Sequence, residues 1–95
     1  MTDFTKNVIK IILQIPQGNV MSYGDVAAIA GRPGAARGVA YILRGQSEKL
    51  GLPWHRVVGK GGEIRLPLED GGQLQMEILS QEGWSFSNKR LIKQK

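Results

Sequence analysis

The run in this chain with the strongest chemical character is Pro53-Trp54-His55-Arg56-Val57-Val58, and it holds the only histidine. An imidazole becomes a general base when a thiol or hydroxyl lies within reach. There is no cysteine anywhere in the 95 residues, so a thiolate nucleophile and a disulfide framework are both excluded. One histidine without cysteine makes a poor zinc site, and the sequence implies neither a metal nor a cofactor. Among hydroxyls, Ser22 is the candidate for activation by His55. Ser22-Tyr23-Gly24-Asp25, however, reads as a capping box at a helix start, in which the serine serves an early amide and the aspartate reaches back. No catalytic residue is expected.

A second run bears on binding. Gly34, Ala35, Ala36 and Gly38 leave a stretch almost bare of side chains, and Arg37 projects from among them. Glycine inside a helix costs roughly 0.5–1 kcal/mol relative to alanine, so something should approach closely there. Two explanations stand: tight packing against a neighbouring helix, or entry into a DNA groove. A minor groove about 6 Å wide admits small residues and one long cation, but not a bulky face. The net charge of +5 favours a polyanion. Residues 1–30 and 66–95 are each balanced, and the whole surplus lies in 31–65, on Arg32, Arg37, Arg44, Lys49, Arg56, Lys60 and Arg65.

The elements that would carry these residues follow from periodicity. Phe4, Val8, Ile11, Ile12 and Ile15 form one stripe of a helix that Thr2 or Asp3 caps and Pro16 and Gly18 stop. A short helix after Ser22 should end at Gly31, and a second should run from about Gly34 to Arg44. Two short helices joined by a glycine-containing turn read as a helix-turn-helix. Gly45 to Pro53 reads as loop. Val57-Val58 and Glu63 to Leu66 suggest a wing-like hairpin about the glycines at 59, 61 and 62. Leu74, Ile78 and Leu79 mark a last helix ended by Gly83. Residues 87–95, with four cations and no acid, read as a flexible basic tail after a single domain over 1–86. The expected fold is mainly α, a winged helix-turn-helix-like domain with a small two-stranded β element. No apolar run approaches the ~20 residues of a membrane span, and the start lacks signal-peptide features, so a cytoplasmic location is expected.

Three ordered stretches resemble the C-terminal, DNA-binding domain of the O6-alkylguanine-DNA alkyltransferases: Ile15 to Gly24, Gly34 to Val39, and Pro53-Trp54-His55-Arg56-Val57. That family has Pro-Cys-His-Arg-Val in the third, and Trp54 stands at the acceptor cysteine. This replacement is the pattern of the alkyltransferase-like proteins. The resemblance implies roles for particular residues. Arg37 would intercalate and fill the stack vacated by a flipped nucleotide, and Ala36 and Gly38 beside it would line the groove. Tyr23 would crowd the 3′ phosphate and promote rotation. Arg44 and Arg56 would contact DNA. Trp54, His55, Leu43, Tyr23 and the Val57 carbonyl would form the lesion pocket. His55 and Glu82 occupy the positions of the family's His–Glu pair, here a structural one, since no thiol is present to activate. Two departures stand out: Leu66-Pro67-Leu68 replaces a tyrosine-and-serine loop, and Gln46 the hinge asparagine.

The expected function is therefore recognition of O6-alkylguanine in duplex DNA by nucleotide flipping, without alkyl transfer. The expected partners are lesion-containing DNA and, by implication of the resemblance, nucleotide excision repair proteins; the chain would act as a monomer. A winged-helix transcription regulator is the main rival, although sequence reading needs Asn, Gln or Arg across the bare face. A residual enzyme using His55 and Glu82 is the other.

Overall fold

The computed structural model describes residues 1–93, of which Lys93 by its backbone alone. The first helix, α1, spans Asp3–Leu13. Thr2 Oγ1 accepts from the Thr5 amide at 3.1 Å, and Asp3 sits favourably at the positive end of the helix. Val8, Ile12 and Ile15 of its apolar stripe are buried, as the 3.6-residue period requires.

Met21–Ser22 form a short strand, β1, and Ser22 passes directly into α2, Tyr23–Ile29. Ser22 Oγ accepts from the Asp25 amide at 3.0 Å. The reciprocal bond of a capping box is absent: an aspartate is one methylene shorter than the glutamate or glutamine that usually makes it. At the other end Gly31, at φ 102°, closes a Schellman motif, with Arg32 N–H on the Ala27 carbonyl and Gly31 N–H on that of Ala28.

The third helix, α3, spans Ala36–Leu50, so it starts later and ends later than the sequence suggests. Gly34 lies in the preceding turn at φ 92°. The segment expected as loop from Gly45 is helical because the stop signal is Gly51, at φ 63°, with the Leu52 amide bonded back to the Ser47 carbonyl at 3.0 Å. Leu52 is buried and anchors that turn in the core. Helices α1, α2 and α3 enclose this main core, in which Val26, Val39 and Val57 are fully buried.

The β structure differs from expectation. Val57–Val58, strand β2, pairs in parallel with β1, Met21 opposite Val57 and Ser22 opposite Val58. No hairpin joins Val57-Val58 to Glu63–Leu66: a tight turn closes by the Gly59 amide on the Glu63 carbonyl at 2.7 Å, and Glu63 bridges instead to Arg90. A hairpin forms instead between β3, Trp84–Ser87, and β4, Arg90–Lys93. Asn88 and Lys89 both have positive φ (50° and 67°), as a two-residue type I′ loop demands. The supposed tail over 87–95 is thus mostly strand; residues 94 and 95 of it lie outside those described. It is held because the Ile64 amide bonds the Lys89 carbonyl and Lys89 Nζ the Leu66 carbonyl, while Leu91 packs on the second core. Charge alone made it look free. Helix α4, Gly72–Gln81, covers that second core, built on Val58, Ile64 and Leu79. No helix among the described residues is long and apolar enough to cross a membrane.

Candidate nucleic-acid interface

A cleft of about 790 Å³ opens between α3, the turn at Trp54 and the 66–70 loop. Tyr23, Leu43, Arg44, Trp54 and His55, all singled out in the sequence, line it together with Leu66 and Asp70. Its size is that of a small-molecule pocket rather than a surface dimple. Tyr23 reaches it because β1 and the Ser22 cap fix the start of α2. Burial raises the pKa of its phenol, and the nearby Arg65 charge partly opposes this, so the hydroxyl stays protonated at neutral pH. Trp54 opens a 3-10 turn, Trp54–Arg56, and meets the His55 ring edge-on at 6.2 Å.

Beneath the cleft lies a knot of charge. Arg56 donates from Nε to Glu82 Oε1 (3.0 Å), from Nη2 to Glu82 Oε2 (2.8 Å) and from Nη1 to the Ile15 carbonyl (2.9 Å). His55 Nε2 lies 2.9 Å from Glu82 Oε2. Glu82 is ionised, and a carboxylate can only accept, so His55 Nε2 carries the proton of this bond. The Arg56 hydrogen bonds foremost, with those from His55, lower the Glu82 pKa to about 2 against a smaller opposing effect of burial. The same contact raises the pKa of Arg56.

The expected His55–Glu82 pair is present, and the polar groups of Arg56 and Val57 are engaged inside the protein. Arg56 was expected on DNA; its guanidinium is instead bound up inside the protein, its side chain only 17% exposed. The Val57 carbonyl was expected to meet the flipped base; the side chain is fully buried at the β1–β2 ladder, and that carbonyl already accepts from Gln75 Nε2 at 3.0 Å. Arg37 and Ala36 are not brought to the cleft but stand at the start of α3. Arg37 is exposed and, among the described residues, has no hydrogen-bonding or ionic partner. A Cβ on Gly38 would lie 3.4 Å from the Phe4 ring, on whose face Arg32 rests at 5.1 Å. The 3.4 Å is ordinary van der Waals distance, so packing against α1 does not by itself demand a glycine at 38.

Two residues escaped the sequence reading. Gln75 is 1% exposed and its Nε2 ties the His55 and Val57 carbonyls, holding the turn that presents Trp54. Its signal was a polar residue four before Leu79, on the buried face of α4. Tyr41 stands 77% exposed on α3, four residues after Arg37 and so on the same face.

A helical domain with a cationic helix beside an open cleft is a DNA-binding scaffold of a recognisable kind. Residues 3–84 match the family model described as 6-O-methylguanine DNA methyltransferase, DNA binding domain, and the chain belongs to that family. Within it, the chain is 46% identical over 80 residues to a DNA base-flipping protein of Escherichia coli (84% of this chain, 61% of that one). It thus spans about three-fifths of that relative's length. It is 33% identical over 84 residues to Alkyltransferase-like protein 1 of Schizosaccharomyces pombe (87% of this chain, 78% of that one). The crystal structure of S. pombe Atl1 in complex with damaged DNA containing O6-carboxymethylguanine superposes with a TM-score of 0.80 at 30% identity, covering 100% of this chain and 91% of that one.

Proposed function

We propose that this chain recognises O6-alkylguanine in duplex DNA, turns the nucleotide into the cleft beside Trp54, and holds it there without removing the alkyl group. The observation that carries this reading is the pairing of one cleft lined by Tyr23, Leu43 and Trp54 with an exposed Arg37 on the helix that forms its wall. Flipping costs a few kcal/mol, least for a damaged pair. Arg37 filling the gap and Tyr23 pressing on the backbone offset that cost. Each alkyl methylene buried against the indole contributes about 0.8 kcal/mol more. An indole N–H is not a nucleophile, and the chain has no cysteine to accept the alkyl group. The names of the relatives and the damaged DNA in the S. pombe complex support lesion-containing DNA as the partner. We further propose that the chain acts as a monomer. A retained, unrepaired lesion is a mark for another pathway, and nucleotide excision repair is the one we propose.

The test is an equimolar incubation with a duplex labelled on the O6-methyl group, followed by denaturation. All label should return with the DNA, and intact mass spectrometry should show the protein unchanged. Duplexes with and without the lesion should differ in affinity. Label on the protein, demethylated guanine, or equal affinity for undamaged DNA would each overturn the proposal.

A further inference from the structure

Tyr41 is the most exposed large apolar side chain of the described residues, at 77%, and neither core nor cleft makes use of it. Arg37, Tyr41 and Arg44 recur at i, i+4 and i+7, so the aromatic ring stands between two exposed cations on one face of α3. Its hydroxyl has no partner among the described residues. An open hollow beside it is lined by Met1, Thr2, Thr5, Gly45 and Gln46, and the ring itself stays exposed to an approaching surface. An aromatic flanked by two arginines matches a surface that alternates apolar rings with regularly spaced negative charge. Deoxyribose and phosphate along a minor groove are such a surface.

We infer that Tyr41 enters the minor groove edge-on and packs against its deoxyribose walls, one helical turn beyond Arg37. This inference rests on the DNA-binding reading above but not on its lesion preference. A planar ring fits a groove about 6 Å wide, where a branched side chain of similar area would not. The contact is made to sugars, which are alike in damaged and intact duplexes. Tyr41 therefore contributes affinity without selectivity, and because it displaces no counterions it leaves the salt dependence untouched. It differs in kind from a plug that replaces a flipped base.

The experiment is a fluorescence-anisotropy titration of the wild type, Tyr41→Ala, Tyr41→Gln and Tyr41→Phe on intact and O6-methylguanine duplexes at two salt concentrations. Tyr41→Ala and Tyr41→Gln should each weaken binding to both duplexes by about tenfold, the order expected for losing half a ring of apolar contact. Lesion preference and salt slope should be unchanged, and Tyr41→Phe should bind as the wild type does. Thermal melts of all four should coincide, since the ring is exposed; a binding loss that merely follows a lowered Tm would overturn the inference. So would wild-type affinity in Tyr41→Ala, a loss confined to the damaged duplex, or a change seen only as dissociation of a dimer in sedimentation. A wild type that binds both duplexes equally, yet still needs Tyr41, would remove the lesion reading and leave this one standing. A wild type that binds neither would remove both.

Discussion

Arg56 and Arg37 are the same residue type in two regions of one small molecule, and they are used in opposite ways. Under the cleft, Arg56 has its guanidinium fork closed on a carboxylate and a main-chain carbonyl, fixing the end of α1 to the end of α4. On α3, Arg37 is exposed and has no hydrogen-bonding or ionic partner among the described residues. The first arrangement stabilises the shape of the cleft, since His55 and the turn presenting Trp54 hang on the same carboxylate. The second keeps a cation free for an outside partner. A planar, permanently charged fork suits both tasks, which is why residue type alone cannot assign either. What decides between them is a carboxylate contributed from 26 residues away.

The sharpest way to break the comparison is to remove that carboxylate. Glu82→Gln keeps the shape but leaves Arg56 an uncompensated, largely buried charge, and should cost about 3 kcal/mol in urea unfolding at pH 7. The acid limb should change too. The Glu82 pKa falls from its ordinary 4.5 to about 2 on folding, so the stability it contributes is complete above pH 4.5 and lost as the pH falls towards 2. Glu82→Gln should flatten that part of the pH–stability profile. An unaltered acid limb would mean the knot does not hold the fold.

Arg37→Ala probes the other side. Its Tm should match the wild type, while affinity for the O6-methylguanine duplex falls roughly thirtyfold and that for intact duplex only a few-fold. The loss should persist at high salt, because filling a vacated stack is not counterion release. Equal losses on both duplexes would make Arg37 an ordinary phosphate contact. The smallest effect belongs to Arg44→Ala, which should lower the slope of log affinity against log salt by about one on both duplexes, with stability unchanged. Identical salt behaviour of these two variants would erase the distinction between plug and phosphate contact.

Local signals in the sequence specify the local structure well. The α1 stripe, the Ser22 cap and the Gly31 stop are all where periodicity and capping chemistry put them. Two of the errors share a cause: partners distant in sequence. Val57-Val58 finds β1, so its pattern of neighbours could not reveal a parallel ladder. Gly45 resembled a helix stop, but it faces open space, and the anchoring of Leu52 in the core carries α3 past it. The hairpin was legible and missed: Trp84-Ser85-Phe86-Ser87 alternates with period two, and Asn88-Lys89 suits a two-residue turn. Basic composition obscured it. At the site, Tyr23, Leu43, Arg44, Trp54 and His55 converge on the cleft. Arg56 and Val57 do not, because Glu82, Ile15 and Gln75 claim their polar groups first.

The parallel pairing of β1 with β2 also governs how the molecule comes to exist. Met21 and Val57 lie 36 residues apart, so their ladder forms only after α2 and α3 have folded against each other and shortened the loop between them. Tyr23 follows one strand of the ladder and Trp54 precedes the other, which places both sides of the cleft at a strongly non-local contact. Helices can form early from neighbours in sequence; the cleft is assembled late. Partial unfolding that separates those strands parts Tyr23 from Trp54, so the cleft is only as stable as that ladder.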